Sequence, residues 1–175
     1  MARIKFATVW LDGCSGCHMS FLDMDEFLLD IADKIDLVYS PLVDNKVYPD
    51  DVEVALIEGA VSSEEDFHKI QKIRKRTKFL ASFGDCAVTG NVPGMRNLFS
   101  VEDITDRAYF ETATENQQVP DKVIPPLLPR VRPVHQVVDV DLIIPGCPPS
   151  AKEIRYVVEQ LLAGEPVNLD DIDFG

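Results

Sequence analysis

The chain has 175 residues, of which 46% are hydrophobic and 27% charged, and it carries a formal net charge of −13. Length and composition fit one soluble globular domain and exclude a disordered chain. The acidity argues against nucleic acid or an anionic membrane surface as the main partner, because both repel such a chain.

No apolar run approaches the roughly 20 residues that cross a bilayer, so no membrane insertion is expected. The first residues, MARIKFATVWLDG, hold too short an apolar stretch for a secretory signal and no twin-arginine pair. The expected location is cytoplasmic. Thiols stay reduced there, and four cysteines read as ligands or redox groups rather than structural disulfides.

In chain order, short apolar runs predict strands at 4–11, 35–40, 52–58, 78–83 and 138–144. None shows a clean polar alternation, the pattern of a parallel sheet covered on both faces. After Gly16, the residues Phe21, Met24, Leu28 and Ile31 make one helical stripe. A second helix opens at Ser62 or Ser63, with Ser62 and Glu65 spaced as a capping box. Its stripe is Phe67, Ile70 and Ile73, and its basic last turn suits the negative end of the helix dipole.

From about 109 to 136, five prolines interrupt the chain and no periodicity emerges. This segment is expected to be an irregular arm, either a surface excursion or a docking arm laid across a partner subunit. The last helix has a Ser150–Glu153 capping box, an apolar face of Ile154, Val157, Val158, Leu161 and Leu162, and a stop at Gly164 and Pro166. Strand–helix alternation of this kind predicts an α/β sandwich with its functional loops at the carboxyl ends of the strands.

All the cysteines fall in such loops. Cys14 and Cys17 lie in WLDGCSGCHMS, Cys86 in SFGDCAVTG and Cys147 in IIPGCPPS. Each loop also holds glycine, which permits close backbone approach and positive φ. Two helix N-termini would face the site and favour negative charge there. A four-thiolate iron–sulfur cluster explains all four cysteines together. Three other readings stay open: a thioredoxin-like dithiol using Cys14 and Cys17 alone, a zinc site, and unrelated buried cysteines.

Nearby residues carry smaller expectations. His18 either bonds a cluster sulfur or sits at a subunit surface. Trp10 packs in the core beside the first cysteine loop. Asp85 bonds nearby backbone N–H groups. His68 faces solvent, His135 has a structural or interface role, and Asp170, Asp171 and Asp173 form a solvated acidic tail.

The segments WLDGCSGC, IEGAV, GDCAVTG and PGCPPS occur in this order and together resemble the small subunit of nickel–iron hydrogenases. RVRPVHQVVDVDLIIPGCPPS most resembles the small subunit of cytoplasmic NAD-reducing hydrogenases. The resemblance covers most of the chain. It implies a flavodoxin-like three-layer α/β sandwich with a mostly parallel sheet, over 1–175 as a single iron–sulfur domain. It implies one proximal [4Fe–4S] cluster held by Cys14, Cys17, Cys86 and Cys147, and no catalytic residue on this chain. The implied partners are a large subunit with the nickel–iron centre, and diaphorase subunits that bind flavin, NAD and further iron–sulfur clusters. The implied function is electron transfer between the two. Flavin mononucleotide is a further cofactor such an architecture admits, although no Ser/Thr-rich phosphate loop places it.

Two departures stand out. Periplasmic and membrane-bound relatives carry further cysteines for two more clusters, which this sequence lacks. Many relatives have Glu where this chain has Met19. The small subunit of NADH:quinone oxidoreductases shares the architecture but usually has adjacent cysteines in its first loop. It stays as the alternative, beside a freestanding dithiol oxidoreductase.

Overall fold

A computed structural model describes residues 3–168. Five strands form one parallel sheet: β1 (Ile4–Trp10), β2 (Ile35–Tyr39), β3 (Val52–Glu58), β5 (Thr77–Phe83) and β7 (Leu142–Ile144). Their order is β2-β1-β3-β5-β7. On one face, α1 (Gly16–Leu22), α2 (Phe27–Asp30) and α7 (Ala151–Ala163) deliver Phe21, Phe27, Ile154, Val157 and Val158 onto Phe6, Leu56, Phe83 and Ile144. On the other face, α3 (Glu64–Lys75) sets Ile70 and Ile73 against Val9, Ala55, Ile57 and Leu80. Full burial of each large side chain contributes about 1.5–3 kcal/mol. The α/β sandwich expected from strand–helix alternation is therefore the one found, with the mostly parallel sheet that the resemblance implies.

Local differences have local causes. The first helical stripe is broken, because Asp25 adopts φ 50° and the chain restarts as α2. Phe21, Met24 and Ile31 still turn inward. The second helix starts one residue later than the Ser62–Glu65 spacing implies. Ser62 and Ser63 belong to a short strand, β4 (Val61–Ser63), and the capping box is Ser63 with Asp66. The last strand is only three residues long. Val138 and Val140 pack against the α3 side of the core, and the Asp141 carboxylate turns back onto β5 to accept from Leu80 N at 2.7 Å and Arg74 Nη1 at 2.6 Å.

The segment after β5 adds α4 (Asp85–Thr89), α5 (Asn91–Gly94) and α6 (Val101–Asp106). The expected irregular arm contains β6 (Leu127–Arg132), paired antiparallel with β4. Its one proline, Pro129, is tolerated because a two-stranded ribbon leaves many N–H groups unpaired. Trp10 does not take the core position expected of it and is 44% exposed. The acidic residues Asp170, Asp171 and Asp173 lie outside the described residues. Among those described, no helix is long and apolar enough to cross a membrane.

Tyr48 anchors the loop after β2. Its ring packs edge-on against Tyr39, and its hydroxyl shares a hydrogen bond with Thr77 Oγ1 at 2.7 Å. Burial pushes the phenol up to about 12. The folded value thus lies above the unfolded one near 10. The stabilisation is complete below about pH 10 and is lost as pH rises through about 12. Tyr48→Phe is expected to cost about 1 kcal/mol at neutral pH. That difference should shrink between pH 10 and 12 in urea unfolding of the two proteins.

Candidate metal centre

Parallel pairing aligns Trp10 with Glu58, Glu58 with Phe83, and Phe83 with Ile144. Four neighbouring strands thus end at one level, and three of the loops that follow carry the cysteines. Cross-bonds hold these loops together. Leu11 N donates to Glu58 O at 2.9 Å, and Asp12 and Ala60 exchange backbone bonds of 3.1 and 2.7 Å. Gly84 N donates to Ile144 O at 2.8 Å and Asp85 N to Gly146 O at 2.9 Å. Gly146 N in return donates to Asp85 Oδ1 at 2.7 Å. Asp85 therefore does bond backbone N–H, but across two loops rather than within its own. Ser20 Oγ ties α1 to the Cys147 loop through Pro149 O at 2.6 Å.

The result is a cavity of about 210 Å³ lined by Cys14, Cys86 and Cys147 with Asp12, Gly13, Val92 and Pro93. Cys14 and Cys147 are exposed, Cys86 is half-buried, and Cys17 lies underneath at 7% exposure. All four are free thiols. Two clefts of about 490 Å³ lie elsewhere, one beside Tyr39 and Lys72 and one along α6. Donor chemistry rather than size singles out the cysteine cavity.

N–H groups serve three of the sulfurs. Gly16 N donates to Cys14 Sγ at 3.4 Å, and Asn91 Nδ2 donates to Cys147 Sγ at 3.3 Å. The Val92 backbone N–H favours the Cys86 thiolate. Burial pushes the Cys17 thiol well up, and the charges of Glu58 and the other three cysteines add to it. Burial also raises the Cys86 thiol against the Val92 bond. A dithiol nucleophile needs the opposite shift. Thiols such as Cys17 and Cys86, which burial keeps from ionising alone, suit a cationic thiophilic group, which supplies the missing countercharge.

Glu58 and His18 complete the floor. Glu58 ends β3 and is 1% exposed; His18 follows Cys17 and is 3% exposed. His18 N donates to Glu58 Oε2 at 3.1 Å, and the ring Nδ1 meets the same oxygen. His18 is thus not on a surface. Its Nε2 is buried with no hydrogen-bond partner among the described residues. The sequence places Glu58 at a strand end without a role of its own; its signal is membership of IEGAV, one of the segments that carry the resemblance. Asn91 and Val92 are likewise silent in the sequence, because no local pattern marks them.

The residues fit a polynuclear group. Gly84 has φ +82°, and a Cβ there would overlap the Cys17 sulfur, so only glycine leaves that sulfur its place. Among the described residues, no three Cys, His, Asp or Glu side chains are placed to share one metal ion. Three of the thiols, Cys14, Cys86 and Cys147, instead line one cavity, and Cys17 is buried.

A family model described as NADH ubiquinone oxidoreductase, 20 Kd subunit, matches residues 14–161. The NAD-reducing hydrogenase HoxS subunit delta of Cupriavidus necator is 42% identical over 172 residues, covering 95% of this chain and 82% of that one. The chain belongs to this family, among its hydrogenase small subunits.

Another such relative, from the F420-non-reducing hydrogenase of Methanothermobacter marburgensis, is 38% identical across 95% of this chain. The chain spans 56% of that relative's length. A crystal structure of an NAD+-reducing [NiFe]-hydrogenase in the H2-reduced state superimposes with a TM-score of 0.93 at 35% identity, covering 99% of this chain and 100% of its counterpart. A [NiFeSe]-hydrogenase from Dm. baculatum, at 16% identity and a TM-score of 0.59, shares the fold. In this small-subunit fold, the Gly84 turn holds Cys17 beneath the other three cysteines. Gly84→Ala should destabilise the chain by about 1–3 kcal/mol through its positive φ alone. It should also speed labelling of Cys17 by a thiol reagent, as the overlap displaces that sulfur.

Proposed function

We propose that this chain is the electron-transfer small subunit of a cytoplasmic nickel–iron hydrogenase of the NAD-reducing kind. In this reading Cys14, Cys17, Cys86 and Cys147 hold one [4Fe–4S] cluster. The observation that carries it is the shared strand level, which brings the three cysteine loops to one sheet edge, where Cys14, Cys86 and Cys147 line one cavity and Cys17 is buried. When bound, such a cluster supplies one-electron transfer between the dihydrogen-splitting centre of a partner large subunit and a flavin- and NAD-binding module.

The chain's own residues do the rest. Four thiols provide the ligand set, burial shields Cys17 from water, and N–H donors at Gly16, Val92 and Asn91 stabilise charge on the other sulfurs. Beside the cavity, Val92, Met95, Leu98 and Phe99 are exposed apolar side chains within eight residues. Apolar exposure of this density fits a subunit interface.

Anaerobically purified full-length protein should contain about four irons and four acid-labile sulfides per chain, as one [4Fe–4S] cluster requires. Its absence would sink the proposal. Cys86→Ser should lose or alter the cluster and uncouple dihydrogen oxidation from NAD reduction; wild-type coupling without a cluster overturns the assignment. The family description favours one second reading, a subunit of an NADH:quinone oxidoreductase-like complex. Nickel in the partner that co-purifies supports the hydrogenase, and a nickel-free quinone-reducing complex supports the alternative. Asn91→Ala removes the N–H bond to Cys147, so the midpoint potential should fall with iron content unchanged. Redox titration checks it.

A further inference from the structure

The four sulfurs are not served alike. Cys14, Cys86 and Cys147 have N–H groups directed to them, whereas Cys17 has none among the described residues. The Cys17 side instead meets a carboxylate, Glu58, whose charge bears on Cys17 and Cys86 alike.

Glu58 sits where an apolar residue would pack with less cost, because a buried carboxylate is strongly disfavoured unless it is bonded or paired. It stands on β3, between the strands that carry the first and second cysteine loops. One of its oxygens takes both the backbone N–H and the ring Nδ1 of His18. His18 adjoins Cys17, so Glu58 grips the chain one residue from the sulfur. Gly13, in the same loop, lies close to the other oxygen: a Cβ there would come within 3.8 Å of Glu58 Oε1. Glu58 is thus enclosed by the loop that bears Cys14 and Cys17.

We propose that Glu58 and His18 form a positioning pair for Cys17, and that the fixed charge of Glu58 lowers the reduction potential of the group the cysteines hold. The inference rests on the iron–sulfur reading above. Adding an electron beside a fixed negative charge is unfavourable, and little solvent screens it at this burial. Net charge and hydrogen bonds to sulfur are the two protein levers on such a potential. Here they oppose each other: N–H donors serve Cys14, Cys86 and Cys147, while the carboxylate bears on Cys17 and Cys86.

The test uses the full chain, purified anaerobically with the large subunit it is proposed to bind. Iron and sulfide are measured first, then the midpoint potential and the electron paramagnetic resonance spectrum of the reduced form. Glu58→Gln keeps the side chain's shape and removes its charge. It should keep the iron and raise the potential, while Glu58→Asp stays near wild type. His18→Ala should alter the spectrum, and His18→Asn, which returns a donor near the Nδ1 position, should restore it. Full iron with an unchanged potential in Glu58→Gln overturns the inference and leaves the iron–sulfur reading standing. Wild-type protein without iron overturns that reading itself. If Glu58→Gln fails to assemble, the His18 variants decide: a wild-type spectrum and potential in His18→Ala overturns the pair.

Discussion

Four parallel strands end in register at Trp10, Glu58, Phe83 and Ile144, and the cysteine site follows from that constraint. The register is held by the core. Val54 and Leu56 face the α1, α2 and α7 layer, while Ala55 and Ile57 face α3. A slip of one residue would exchange those faces and move a loop by about 3.3 Å along the strand. Apolar burial on both sides of the sheet therefore fixes the height at which Cys14, Cys86 and Cys147 leave it. The loops add cross-bonds to a geometry the strands already impose.

Several polar groups at that edge are satisfied by one another. Asp85 bonds Gly146, Ser20 bonds Pro149 O, and Glu58 takes both donors of His18. Each bond joins loops distant in sequence, so losing one partner would strand the other in a poorly solvated place. The same enclosure decides the character of the C-x-x-C pair. A helix N-terminus contributes only about 0.3–1 kcal/mol in favour of a thiolate. Burial and the Glu58 charge outweigh it, because the Cys17 thiol is shifted up rather than down. Burial of Cys17 therefore opposes the thiolate character that the C-x-x-C pattern suggests in the local sequence.

Much of this architecture is legible in the amino-acid sequence. Apolar runs locate the five strands of the main sheet, and the placement of cysteines after three of them puts the loops on one edge, because both signals are local. The missing parts are the non-local ones. Glu58 lies forty residues from His18, and nothing in VEVALIE distinguishes a buried carboxylate from a solvated strand end. Trp10 sits in an apolar strand yet points outward, and only the three-dimensional boundary of the core reveals that. The strand β6 is masked by Pro129 and the prolines that flank it, and its partner β4 is three residues long. The capping box Ser100–Asp103 at the start of α6 is a local signal too, but no apolar stripe follows it to mark a helix.

The proline-rich segment thereby acquires a mechanical role beside any docking role. Arg96 donates to Ser62 O at 2.9 Å and to Leu128 O at 3.0 Å, bridging β4 and β6. Asn97 exchanges bonds of 2.8 and 3.0 Å with Val131. These two side chains pin the stretch that runs from Val92 to Phe99. Val92 at its start lines the cavity and favours the Cys86 thiolate, while Met95, Leu98 and Phe99 point outward. A partner that covers the apolar residues would meet a surface already held in place, which reduces the ordering cost of association. The arm so braces the cavity wall and the exposed face next to it, and couples the geometry around the Cys86 sulfur to the surface a partner would touch.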